Sequence, residues 1–113
     1  MNAVKEIATE EDMRALLEES AKAPVVLFKY SPTCGISLAV QERWEAWIGN
    51  APEGLVLAQC DVIGARSAAR GVCEWTKVLH QSPQVMVFKD GACTGHTSHY
   101  AITADWLGKL TAG

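Results

Sequence analysis

Three short apolar runs, separated by longer amphipathic segments, constrain the fold of this chain most. The runs cover residues 25–28, 55–62 and 85–88. Each is short and nearly continuous in apolar residues, which is typical of strands that are covered on both faces of a sheet. Strands that alternate with helical segments form layered α/β domains, so we expect this class of fold.

The segments between the runs carry helical signals. Thr9 is followed by three acidic residues, which indicates a capped helix start. Residues 36–48 place apolar side chains at three- and four-residue steps, so we expect a helix whose buried face includes Trp44. A third helix is predicted at about residues 65–76, and Thr103 is a plausible cap for a fourth.

The Asp90–Gly91 pair is a strong hairpin signal between residues 85–88 and 92–97. The predicted order is therefore α-β-α-β-α-β-β-α, with a mixed four-stranded sheet flanked by helices. The chain has 113 residues and no evident linker or repeat. We expect one domain over residues 1–113.

Composition excludes several functional classes. The net charge is −3, so the chain lacks the basic excess typical of nucleic-acid or anionic-membrane binding. No apolar run approaches the roughly 18 residues that a membrane helix needs. The first residues lack a basic region followed by an apolar core, so we expect no signal peptide and a cytoplasmic location.

Cys34 is the candidate reactive residue. It follows the first apolar run and precedes the helix of residues 36–48, at a helix start. Free backbone N–H groups and the positive end of the helix dipole stabilise a thiolate there, and the thiolate is the nucleophilic form. The spacing Cys34-x-x-Ser37 supplies one sulfur and one hydroxyl, so Ser37 can donate a hydrogen bond but cannot close a disulfide. We interpret this as a single-thiol redox site.

The other cysteines, Cys60, Cys73 and Cys93, form no Cys-x-x-Cys pair, which argues against a dithiol motif and a zinc site. We expect the four cysteines to be free thiols, most of them buried. Glu74 disfavours a thiolate at Cys73. A dithiol enzyme or sensor that pairs Cys34 with one of these distal cysteines stays open as an alternative.

The element order, with a cysteine after the first core strand and a proline before the third, resembles the thioredoxin fold. The resemblance implies that Pro83 follows a cis peptide bond with Ser82. It also implies that this segment lies against the cysteine and binds an extended substrate strand. A non-catalytic module that binds peptides at Pro83 is a second alternative.

Three motifs resemble the monothiol bacilliredoxin family: residues 28–37 (FKYSPTCGIS), 78–84 (VLHQSPQ) and 98–103 (SHYAIT). The resemblance implies a thiol-disulfide oxidoreductase that removes a low-molecular-weight thiol, of the bacillithiol type, from S-thiolated proteins. Cys34 would be the catalytic residue, and its neighbours Thr33, Gly35 and Ser37 would be supporting residues of the same site. The implied partners are S-thiolated proteins and a small thiol or reducing redoxin as co-substrate, with no bound cofactor and no metal.

The chain departs from that family at Gly35, where the family usually carries proline. Lys29 either adds positive charge near the thiolate or is solvated, and both interpretations stay open. His80 and His99 bind the carboxylates of the small thiol, assist proton transfer or hold loops, and they receive no catalytic assignment.

Overall fold

The computed structural model describes residues 3–111 and has the layered α/β architecture that the sequence predicts. The strands of the described chain are β1 (Val4–Glu6), β2 (Val25–Tyr30), β3 (Val56–Asp61), β4 (Gln84–Lys89) and β5 (Ala92–Ser98). Its helices are α1 (Glu10–Glu19), α2 (Gly35–Ile48), α3 (Arg66–Thr76) and α4 (Ala104–Thr111), with a 3-10 turn at His99–Ala101. Within residues 3–111, each helix is too short or too polar to cross a lipid bilayer.

The strands form one mixed sheet in the order β1-β3-β2-β4-β5. β2 pairs in parallel with β3 and antiparallel with β4, so it lies at the centre. All six residues of β2 are buried or partly buried, as expected for a strand that is covered on both faces. This confirms the predicted mixed sheet and its flanking helices.

The predicted count of four strands is wrong, because β1 adds a fifth. This strand pairs in parallel with β3, with Val4 opposite Leu57. Two of its three residues are exposed, so it is a short edge strand with no apolar run for a sequence pattern to detect. The element order is therefore the predicted one preceded by a strand.

The start of α1 is the capped turn that the sequence predicts. The Thr9 hydroxyl accepts a hydrogen bond from the Asp12 amide, and the Asp12 carboxylate accepts one from the Thr9 amide. This reciprocal pair is a capping box. The bonds that the carboxylate accepts from the amides of Ala8 and Thr9 lower the pKa of Asp12.

Two hydrophobic layers enclose the sheet. α1 and α3 cover one face, with buried side chains such as Met13 and Val72. α2 and α4 cover the other face, with Trp44 and Leu107. The predicted burial of Trp44 is confirmed, since its exposed fraction is 0%. Its ring stacks on Phe28 of β2 at 5.2 Å between centroids, which fixes α2 against the central strand.

Candidate functional site

The strand register brings the predicted site segments to one edge of the sheet. Tyr30, the last residue of β2, pairs with Asp61, the last residue of β3. Lys29 pairs with Gln84, the first residue of the antiparallel β4. The loop that carries Cys34 and the loop that carries Pro83 therefore leave the sheet at the same edge.

Cys34 is the N-cap residue of α2, with φ −101° and ψ 124°. Its carbonyl accepts a hydrogen bond from the Leu38 amide at 3.0 Å, and its own amide donates to the Ser31 carbonyl at 3.3 Å. The thiol is partly exposed. The amides of the first helical turn have no intrahelical acceptor, so they and the helix dipole stabilise negative charge at this end of α2.

The Ser37 hydroxyl fastens the loop that contains Cys34. Ser37 is fully buried, and its Oγ accepts a hydrogen bond from the Ser31 amide at 2.9 Å. We expected this hydroxyl to donate to the sulfur, but within residues 3–111 its hydrogen bond is to the loop backbone. Thr33 is exposed, and its Oγ1 lies 3.3 Å from the Oγ of Ser31. Ser37 therefore joins the two sides of the loop around Cys34.

Gly35 is the first residue of α2. A Cβ atom added there would meet nothing within 4 Å. Neither space nor a left-handed backbone therefore demands glycine at this position. The first helical position also suits proline, because its N–H lacks an intrahelical acceptor in any case.

The peptide bond between Ser82 and Pro83 is cis. The Pro83 carbonyl accepts a hydrogen bond from the His99 amide at 3.0 Å, which joins this loop to the end of β5. The Ser82 Oγ is buried and has no hydrogen-bond partner among residues 3–111. Buried hydroxyls without a partner are uncommon in folded proteins.

Gln84 holds the loop that leads to Pro83, a role the sequence did not indicate. Its side chain is almost fully buried. Its Oε1 accepts a hydrogen bond from the Gln81 amide at 3.3 Å, and its Nε2 donates to the Leu79 carbonyl at 3.0 Å. The side chain thus bonds the backbone of the segment that precedes the cis bond.

Lys29 is neither solvated nor aimed at Cys34. Its side chain is fully buried, and its Nζ lies 2.9 Å from the Cys73 Sγ and 2.8 Å from the His80 Nδ1. It also donates to the Ala69 carbonyl at 3.4 Å. Burial lowers the pKa of Lys29. Burial and the nearby charges of Lys29 and Arg70 lower the pKa of His80.

All four cysteines are free thiols. Cys60 is fully buried, and burial raises its pKa to about 12. Burial also raises the pKa of Cys93. These two thiols are poorly suited to form a thiolate, whereas the Cys73 sulfur contacts Lys29.

Arg43 of α2 fixes the turn that follows β5, which the sequence also did not indicate. Its Nη1 donates to the carbonyls of Tyr100 and Ile102 at 3.0 and 3.1 Å. The neighbouring His99 has a positive φ of 56°, and its backbone amide is the group that contacts Pro83. Among residues 3–111, no three His, Cys, Asp or Glu side chains form a group that could hold a metal ion.

Comparison with solved structures shows the thioredoxin fold. One structure, described as having a thioredoxin fold, has a TM-score of 0.82 and 21% identity, and the match covers 94% of this chain and 91% of the other chain. Thioredoxin of Fasciola hepatica has a TM-score of 0.75 and 21% identity, and the match covers 96% of this chain and 97% of that thioredoxin. Thioredoxin of Malassezia sympodialis has a TM-score of 0.78 and 17% identity, and the match covers 99% of this chain and 91% of that thioredoxin.

The sequence match is more specific than the fold. A family model described as monothiol bacilliredoxin BrxC matches residues 5–107, a span that includes Cys34, the cis bond before Pro83 and the turn after β5. The chain therefore belongs to the monothiol bacilliredoxin BrxC family.

Proposed function

We propose that this chain removes a low-molecular-weight thiol from S-thiolated proteins through Cys34. The Cys34 thiolate attacks the small-thiol sulfur of the mixed disulfide, forms a new disulfide with it and releases the protein thiolate. A second small thiolate, or a reducing redoxin, then attacks this intermediate. Cys34 is regenerated as the thiolate, and the small thiol leaves in a disulfide with the attacking group.

The position of Cys34 is the observation that carries this proposal. A partly exposed thiol at the start of α2 is accessible and lies where a thiolate is stabilised. Position 37 is a buried serine, so the intermediate cannot resolve within the Cys-x-x-Ser spacing. The raised pKa values of Cys60 and Cys93 disfavour these two thiols as resolving partners.

A second feature suits an anionic small thiol such as bacillithiol. A cleft of about 240 Å³ is lined by Arg66, Arg70 and His80 together with Val62 and Ile63. The residues that follow β3 lie at the same end of the parallel strands as the loop that carries Cys34. Guanidinium groups pair with carboxylates in two-point hydrogen bonds, so this cleft offers positive charge to the carboxylates of the small thiol.

The protein part of the substrate is expected to bind beside Pro83. The cis bond between Ser82 and Pro83 directly precedes β4, at the end of the sheet where the Cys34 loop lies. Leu38 and Ile63, on segments at the same edge, are 52% and 57% exposed and provide apolar contact. Because the reaction needs free thiols at rest, we assign it to the reducing cytoplasm.

The test is a de-thiolation assay with a carrier protein that bears one mixed disulfide, prepared separately with bacillithiol and with glutathione. Intact mass of the carrier measures the loss of the small thiol. We expect the wild-type chain to reduce the carrier and Cys34→Ser to be inactive. We expect the bacillithiol carrier to react faster than the glutathione carrier.

Single substitutions of the distal cysteines are the matched controls. Cys60→Ser and Cys93→Ser should retain the rate of the wild-type chain. Loss of turnover in Cys73→Ser, with an intact fold by circular dichroism, would contradict the monothiol scheme and support a dithiol enzyme. Binding of the carrier without release of the small thiol would support the non-catalytic module.

A further inference from the structure

The contact between Lys29 and Cys73 forms a second chemically unusual site, which lies outside the exchange scheme at Cys34. The Lys29 Nζ is 2.9 Å from the Cys73 Sγ. Lys29 is fully buried and Cys73 is 5% exposed. A buried ammonium group is costly unless a negative charge compensates it.

The hydrogen-bond partners of the Lys29 Nζ single out the Cys73 sulfur. Its other hydrogen-bond partners are the carbonyl of Ala69 and the ring of His80, which are uncharged when they accept. The nearby Arg70 is a further cation. Among residues 3–111, the hydrogen-bond partners of this ammonium thus include one group that can become an anion, the Cys73 thiol.

The sulfur is also accessible to a small reagent. Cys73 lines an open cleft of about 480 Å³ together with Arg70, Glu74, Lys77 and the residues from Val78 to His80. A hydroperoxide is small enough to enter such a cleft, whereas a folded protein partner cannot engage a residue that is only 5% exposed. Thiolates are the form that hydroperoxides oxidise.

We propose that Cys73 and Lys29 form a reversible sulfenamide cross-link when the protein meets a hydroperoxide. In the first step, the Cys73 thiolate attacks one oxygen of hydrogen peroxide and the Lys29 ammonium supplies a proton. The products are a sulfenic acid, a neutral lysine amine and one water. In the second step, the amine attacks the sulfenic sulfur, an S–N bond forms, and the hydroxyl leaves with a proton from nitrogen as a second water.

The buried setting drives the second step. Oxidation removes the negative charge that stabilises the Lys29 ammonium, and burial disfavours the ammonium once that charge is lost. The free amine is then within 2.9 Å of an electrophilic sulfur. Attack by a small thiol on the sulfur reverses the cross-link, because it restores the amine and leaves a disulfide that a second thiol reduces.

The reaction protects Cys73 as well. A sulfenic acid that is left exposed to peroxide proceeds to sulfinic and sulfonic acids, which thiols do not reduce. Lys29 traps the first oxidation product before that stage. This chemistry needs neither Cys34 nor a substrate protein, so it stands or falls independently of the exchange reaction.

The experiment uses the full chain with Cys34→Ser, which removes the exchange thiol, and one equivalent of hydrogen peroxide. Intact mass should show the loss of two hydrogens, and peptide mapping should join the peptides that contain Lys29 and Cys73. Trypsin should no longer cleave after Lys29. Excess small thiol should restore both the mass and the cleavage.

Two variants in that background separate the possible outcomes. Lys29→Met keeps an unbranched side chain of similar reach but has neither an amine nor a positive charge, so no cross-link should form and Cys73 should be oxidised more slowly than in the parent chain. Cys73→Ser should show no loss of two hydrogens and normal cleavage after Lys29. A dimedone adduct on Cys73 with Lys29 present, a disulfide from Cys73 to Cys60 or Cys93, or an unreactive Cys73 would overturn the proposal.

Discussion

The buried hydroxyl of Ser37 should stabilise the fold measurably, because it is the acceptor for the Ser31 amide. In Ser37→Ala, the 2.9 Å bond from that amide is lost. An unsatisfied backbone donor costs about 1–3 kcal/mol. Since Ser31 is partly exposed and water can reach its amide, we expect the lower part of that range, about 1–2 kcal/mol.

Urea denaturation followed by tryptophan fluorescence measures this change as a lower midpoint with an unchanged m-value. Ser31→Ala is the matched control, because it retains the Ser31 amide and removes only the exposed contact with Thr33. Its free energy of unfolding should change by less than about 0.5 kcal/mol. The exchange rate at Cys34 should fall in Ser37→Ala and not in the control. Equal stability of the two variants would refute the role assigned to Ser37.

Three further predictions concern stability. Gly35→Pro should raise the free energy of unfolding by about 0.4–1 kcal/mol, since the position has open space and a helical first turn; a decrease in urea denaturation would show that the turn is incompatible with proline. Trp44→Ala should lower it by about 3–5 kcal/mol, because a fully buried stacked ring is removed, and a loss below about 1 kcal/mol would place the ring outside the core. The pKa of Cys60 is raised from its ordinary value of 9.0 to about 12 in the folded chain, so the folded state retains the Cys60 proton to a higher pH than the unfolded state. The stabilisation that the protonated Cys60 contributes is complete below pH 9 and is lost as the pH rises toward 12. The free energy of unfolding should therefore fall more steeply with pH for the wild-type chain than for Cys60→Ala, and parallel curves would contradict the raised pKa.

The fold was largely predictable because its signals are local. Apolar runs marked β2, β3 and β4, and the Thr9 cap marked α1. The edge strand β1 was missed since it has three residues and only one of them is partly buried. Its pairing with β3 depends on residues more than fifty positions away.

The positions of the candidate site residues were predictable where a local motif marked them, and not where long-range contacts determine them. Cys34 follows from its place between a strand and a helix, and the assignment of Pro83 came from the family resemblance. Lys29 was misjudged because its partners lie 44 and 51 positions later in the sequence. A lysine at the end of a strand is rarely fully buried, so no local pattern indicates the contact with Cys73.

The most direct test of the monothiol scheme is the intact mass of the chain after brief treatment with an oxidised small thiol, with the site mapped by peptide analysis. We predict one small-thiol adduct per chain on Cys34, which persists until a second thiol is added and is absent from Cys34→Ser. Loss of two hydrogens with a mapped disulfide between Cys34 and another cysteine, and no adduct, would contradict the assignment of Cys34 as a single-thiol nucleophile.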